Sequence, residues 1–283
     1  MTICGAGLVF ASLDEARKRI QESDDYTSHL SPYELQAKVQ RLDQVTETDY
    51  LVNASFHVRA WTRDEVDYMT SVADRTNKRL QKLKIDLDLP EEIWLIKTTG
   101  AEEGGANGYT RKNNIFLNQA SLSSNLFRHE LFHVATRFDS RLRDDCYATI
   151  GFKPVGEIHY ADPNRVSNPD APTLQHALSV SYRHQLRRVA IVLTGNRPYT
   201  GGSFFTYVSK RLLSVDDTAA ELLDFSQVSD LYEAIGRNTS YNIHQEEVCA
   251  SHFELLLSGS RTLPHPHLIS DLRIVLSAKR KAA

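Results

Sequence analysis

Cysteine is nearly absent: Cys4, Cys146 and Cys249 are the only three in 283 residues. An odd, sparse set builds no disulfide framework, so a reducing compartment is the simpler home and the fold must rest on its core. No apolar run reaches the length of a membrane span. Basic excess is missing too. With 33 Lys and Arg against 36 Asp and Glu the net charge is −3, so no overall field draws the chain to nucleic acid or to an anionic membrane. The one basic run, the terminal AKRKAA, reads as a solvated tail. The opening MTICGAGLVFAS is apolar but short and carries no Lys or Arg ahead of its apolar stretch, which argues against a cleaved signal peptide. A cytoplasmic protein without nucleic-acid or membrane partners is the expectation. Repeats and low-complexity blocks are also lacking.

What is present is a chain long enough to bury one large core, with an ordinary hydrophobic content of 41% and no strong linker. Residues 11–42 read as helical: SLDEARKRIQ opens on Ser12, and SPYELQAKVQRL opens on Ser31 with Pro32 at the first helical position. WTRDEVDYMTSVADRTNKRLQKL is a third helix capped by Thr62. EEIWLIKTT then reads as a strand, GAEEGGANG as a flexible link, and YTRKNNIFLNQ as holding a second strand that ends near Leu117. SLSSNLFRHELFHVATRF keeps helical apolar spacing over four turns, with Ser121, Ser123 or Ser124 as cap. Residues 151–205 look loop-rich, with four prolines in GFKPVGEIHYADPNRVSNPDAPTLQH and a short strand at AIVLT. TAAELLDFSQVSDLYEAI, HQEEVCASHFELLL and HPHLISDLRIVLSAKR close the chain as helices.

The chemistry centres on HELFH. His129 and His133 stand four apart on one helix, so both imidazoles can reach one ion. Glu130 lies one residue along, beside the ion's open side. This is the H-E-x-x-H arrangement of zinc hydrolases, with two His ligands and a Glu that takes a proton from the attacking water. Imidazole suits zinc better than calcium or magnesium. A catalytic site needs a third protein ligand. Asp139 is the near candidate, but Thr136 stands where the chain would have to turn sharply to bring it round. The far candidate is Glu247, which shares a helical face with the small residues Ala250 and Ser251. Its neighbour Glu246 points about 100° away, so only one of the two should bind. Tyr241, His244 and His176 are possible donors to a developing oxyanion. His265 and His267, two apart among prolines, read as a surface loop.

His129, Glu130 and His133 followed by Glu247-Val248-Cys249-Ala250-Ser251 resemble the gluzincin class of zinc metallopeptidases, whose third ligand is a Glu in an E-x-x-A-D helix. More closely, the chain is similar to a group of uncharacterised bacterial proteins. They share Tyr109-Thr110-Arg111 before the motif, HELFHV at it, the stretch Tyr147 to Phe152, NPDAP from Asn168 to Pro172, and Asn238 to Phe253, all within about residues 109–257. The resemblance implies Zn2+ on His129, His133 and Glu247, with Glu130 as general base. It departs at Ser251, where the class has an Asp that orients a zinc-binding His, and at Gln245, where the group more often has Pro.

The fold expected is α+β: a mostly helical zincin-like domain over 61–283 with a small sheet packed on the motif helix, preceded by a helical N-terminal extension over 1–60. The expected function is a zinc-dependent hydrolase of peptide or protein substrates, with Glu130, His244 and Tyr241 as the catalytic set. Tyr109 to Leu117 could bind an extended peptide by strand addition. The alternatives are a catalytically silent zinc-binding scaffold, and a hydrolase of a non-peptide amide or ester.

Overall fold

The computed structural model describes residues 1–216, 221–260 and 262–278. The basic tail beyond 278 and the start of the helix expected from 218 lie outside the described residues. The chain opens with a hairpin, β1 (Thr2–Ile3) and β2 (Ala6–Phe10), turned by Cys4 and Gly5 at positive φ. Helices α1 (Leu13–Ile20), α2 (Pro32–Val39) and α3 (Glu47–Ser55) follow, each opened by a capping box on Ser12, Ser31 and Thr46. Strand β3 (Val58–Arg59) leads to the long α4 (Arg63–Leu83), capped by Thr62 and Glu65. Then come β4 (Glu92–Thr98), β5 (Gly108–Arg111) and β6 (Asn114–Asn118), and after them α5 (Ser124–Phe138) and α6 (Ser140–Ala148).

These strands form one mixed sheet in the order β1-β2-β4-β6-β5, with β3 also on β4. β2, β4 and β6 run parallel, and β5 folds back antiparallel as the edge. The β2-to-β4 connection runs through α1 to α4, whereas β4 reaches β6 through a 3₁₀ turn and β5. The YTRKNNIFLNQ segment is therefore a hairpin of two strands, turned at Lys112 with φ 52°.

A second, antiparallel sheet holds β7 (Phe152–Pro154), β8 (Arg165–Val166), β9 (His176–Tyr182), β10 (Gln185–Gly195), β11 (Val208–Ser214) and β12 (Leu222–Leu223). Its order is β12-β11-β10-β9-β7, with β8 on β10. Three helices close the fold: α7 (Leu231–Ile235), α8 (Gln245–Ser258) and α9 (Pro266–Ser277). The main core is continuous from α4 through the first sheet, α5 and α6 to the second sheet, α8 and α9.

The α+β class is as expected, but four expectations fail. The single small sheet is two sheets, because residues 176–195, within the stretch expected to be loop-rich, form the two long strands β9 and β10. The β9–β10 turn is made by Arg183 and His184, both at positive φ (48° and 64°), without the Gly or Asn that usually marks such a turn. The helical extension over 1–60 begins as sheet: β2 pairs with β4 from Gly7↔Glu92 to Phe10↔Leu95, so the boundary at residue 60 runs through one sheet. GAEEGGANG is not a free link. Glu102 and Glu103 are buried in a short 3₁₀ turn, where Tyr26 donates to Glu103 at 2.8 Å and both Lys38 and Tyr50 also bond its carboxylate. Finally, the described part of TAAELLDFSQVSDLYEAI is β12, a 3₁₀ turn and the five-residue α7, not one helix.

Candidate metal centre

Helix α5 starts on Ser123, whose Oγ accepts from the Leu126 amide at 3.2 Å. It is buried on most sides because it lies between the first sheet and α8. α8 is capped by His244, whose Nδ1 accepts from the Glu246 amide at 3.2 Å. That cap places Glu246 and Glu247 in the first turn, where the helix dipole favours negative charge. Phe132 packs on Phe253, ring centroids 5.5 Å apart, and Ala250 is fully buried between the elements, so the two helices approach closely.

His129 and His133 face α8 with their rings 4.8 Å apart. Glu247 Oε2 lies 2.9 Å from His129 Nε2 and 3.6 Å from His133 Nε2. One ligand atom from each of these residues falls within 4.8 Å of the others. The other oxygen of Glu247 accepts from Asn168 Nδ2 at 2.7 Å, which fixes the carboxylate's orientation. His133 is wholly buried and donates its Nδ1–H to Glu246 at 2.8 Å, which leaves Nε2 as the nitrogen for an ion, and this Nε2 has no hydrogen-bond partner among the described residues. Two imidazole nitrogens and one carboxylate oxygen, with an orphaned buried nitrogen among them, fit a zinc ion. Asp139, the nearer alternative, caps α6 through the Leu142 amide at 2.9 Å and stands outside this group. α5 continues through Thr136 to Phe138 instead of turning.

Glu246 answers the departure at Ser251. Its Oε1 accepts from His133 and from Thr136 Oγ1 (2.6 Å), and its Oε2 accepts from the Tyr147 hydroxyl at 2.6 Å. A carboxylate therefore orients the buried His, supplied one residue before Glu247 rather than four after it. Ser251 instead pairs with Thr239 at 3.4 Å. Burial raises the Glu246 pKa, but the hydrogen bonds from His133, Thr136 and Tyr147 outweigh it and hold the carboxyl below the usual range. Burial likewise opposes charge on Glu247 and on His133. For Glu247 the two histidines win and drive it well down, while for His133 the carboxylates of Asp170 and Glu247 win and drive it well up.

Glu130 is 2% exposed, and its Oε2 has no hydrogen-bond partner among the described residues. Burial, then the charge of Asp170, pushes its carboxyl well above the ordinary range. Room for it comes from the edge strand: a Cβ on Gly108 would lie 2.7 Å from Glu130 Oε1.

Asp170 is the neighbour that the sequence conceals. A carboxylate oxygen of Asp170, one of Glu130 and a ring nitrogen of His133 also lie within 4.8 Å of one another. NPDAP delivers Asn168 to Glu247 and Asp170 to Glu130. It also lies along β5. Thr110 N–H and Oγ1 donate to Asp170 Oδ1, both at 2.7 Å, and Arg137 donates to the Thr110 carbonyl at 3.2 Å. The edge expected to accept an extended peptide is therefore occupied at Thr110.

Tyr241 stands at the open side, 48% exposed, with its ring 6.0 Å from that of His129. His244 is buried, and burial pulls its pKa down to about 4, so the ring is neutral at pH 7. With Nδ1 engaged by the cap, its Nε2–H is the donor, and it has no partner among the described residues. His244 and Asn168 line a narrow cavity with Tyr160 and Ile243. His176 bonds Asp144 at 2.9 Å and packs on Tyr147, apart from the ligand group. His265 and His267 lie at the start of α9, and no third ligand joins them among the described residues. No helix among the described residues is long and apolar enough to cross a membrane. Scans against protein-family models, curated proteins and solved structures return no match to this chain.

Proposed function

We propose that the chain is a zinc-dependent hydrolase of the gluzincin type, with a zincin-like fold, that cleaves peptide bonds. One observation carries this: Glu247 lies 118 residues from His129 in sequence, yet its carboxylate meets both histidines of the motif. Zinc held there would act as a Lewis acid and bring the pKa of water toward neutrality. The chain's own groups supply the rest. Glu130, dry and without a hydrogen-bond partner at Oε2, takes a proton from the attacking water and returns it to the leaving amine. Tyr241, on the open side of His129, is placed to donate to the carbonyl oxygen as charge develops on it. His244 caps the ligand helix and offers a neutral Nε2–H. Glu246 and Asn168 hold His133 and Glu247 in register. A Ser at 251 favours a silent scaffold, but Glu246 bonds His133 and supplies the carboxylate that Ser251 lacks.

Elemental analysis of purified chains tests the ligand set. One zinc per chain is expected in the wild type and in Asp139→Ala, and its loss in Glu247→Ala. Glu130→Gln should keep the metal while hydrolysis of a peptide library falls by about 100-fold or more. Zinc retained in Glu247→Ala, or full activity in Glu130→Gln, would defeat the proposal.

A further inference from the structure

The proposed reaction leaves Asp170 without a task, although its carboxylate lies within 4.8 Å of both Glu130 and His133. Its setting is constructed. Asp170 N–H donates to Asn168 Oδ1 at 3.0 Å, and Arg137 donates to the carbonyls of Pro169 and Asp170, each at 3.0 Å. The hydrogen bonds to its side chain, from Thr110, both fall on Oδ1. Arg137, whose charge also reaches Asp170, spends its donors on Thr110 and on backbone carbonyls. Beside Asp170, the buried Glu130 carboxylate has an oxygen with no partner among the described residues. Two carboxylates thus converge next to the reacting centre with donor capacity missing around them, which is the complement of a small cation carrying several N–H donors.

The same loop limits how a peptide can lie. A strand added to β5 would use the outward N–H and C=O of alternate residues. Those of Thr110 are taken by Asp170 and Arg137, so no chain can run along the edge beyond Gly108 on that side. Covalent geometry supplies the scale. The amino nitrogen of a peptide's first residue lies about 2.5 Å from that residue's carbonyl carbon, since each intervening bond is about 1.5 Å. An ammonium hydrogen-bonded to Asp170 therefore brings that carbonyl within about 5 Å of the carboxylate, beside Glu130 and His133.

We propose that Asp170, beside Glu130, receives the α-ammonium group of a substrate's first residue, so that the site removes residues from free amino termini. This rests on the zinc-peptidase reading above. The test is calorimetric binding of chelating probes to zinc-loaded full-length protein: leucine hydroxamate, N-acetyl-leucine hydroxamate and Nα-acetyl-lysine hydroxamate. Leucine hydroxamate should bind at least about tenfold tighter than its acetylated form. Asp170→Asn should abolish that difference while leaving the acetylated probe's affinity in place. Equal binding of the two leucine probes to the wild type overturns the proposal, and so does an equal loss for both in Asp170→Asn, which would make the residue structural. Preference for the acetyl-lysine probe would move the site to a side-chain cation, and a second zinc lost in Asp170→Asn would make it a metal site; either overturns it. Failure of every hydroxamate to bind zinc-loaded protein would sink the peptidase reading itself, and this inference with it.

Discussion

Single side chains separate what this sequence discloses from what it hides. His129, Glu130 and His133 are legible because a helix forces residues four apart onto one face. Glu247 is legible only as a carboxylate with small residues beside it. Asn168, Asp170 and Tyr147 are not legible, because their partners are fixed by tertiary packing and nothing local marks them. Glu246 is the sharpest case: the angle between adjacent helical residues excludes it as a second ligand, and the same angle aims it at the far side of His133. Glu246→Gln should therefore weaken zinc binding by about 10–100-fold in competition with a chelator, while Ser251→Ala leaves it unchanged. A loss confined to Ser251→Ala would restore the usual arrangement of the class. A second residue-scale prediction concerns Glu102. Burial lifts its pKa from 4.5 to about 7, and its Oε2 has no partner among the described residues. The folded pKa lies above the unfolded one, so the charge penalty is absent below pH 4.5, grows as the pH rises and is complete above about pH 7. Glu102→Gln should raise stability at pH 8 by up to roughly 3 kcal/mol and change little at pH 4, measured by urea unfolding. Equal effects at both pH values would contradict the burial argument.

At the scale of elements, helices are legible where their ends are chemical. Ser12, Ser31, Thr46 and Thr62 each close a capping box within four residues, so start signals and structure coincide, although Thr46 is easily passed over. The second sheet is hidden for the opposite reason. Prolines at 154, 163, 169 and 172 dominate the segment before β9, and the β9–β10 turn uses Arg183 and His184 at positive φ. The contact between β5 and α5 lies between these cases, since Gly108 reads as part of a flexible link but is the point where an edge strand meets the helix that carries the motif. In Gly108→Ala the new Cβ would stand 2.7 Å from Glu130 Oε1 and 3.0 Å from Leu126 Cδ1, so the carboxylate has to move. Zinc content should stay at one per chain while kcat falls at least about tenfold, because small displacements of a positioned base are costly. An unchanged kcat would mean that Glu130 does not act from this position.

At the scale of the molecule, composition shifts do not report where strands pair, and the division at residue 60 fails on that ground. Residues 1–60 supply β1, β2 and β3 to the first sheet, and α2 reaches the loop that holds the site. Glu34 accepts from the Ser167 amide at 2.7 Å across 133 residues, directly beside Asn168 and its bond to Glu247. Asp24 pairs with Arg111 of β5 at 2.7 Å, and Lys38 neutralises the buried Glu103. Removing residues 1–60 would expose one side of β4 and leave Glu103 and Arg111 buried without these partners, each a strongly destabilising loss. A chain beginning at residue 61 should therefore fail to unfold cooperatively and fail to hold zinc, measured by circular dichroism on heating and by elemental analysis. Restoring 1–60 as a separate polypeptide should recover both if the two parts associate. A truncated chain that melts sharply and keeps one zinc would show instead that the first sixty residues are an appendage, and that Asn168 holds Glu247 without help from α2.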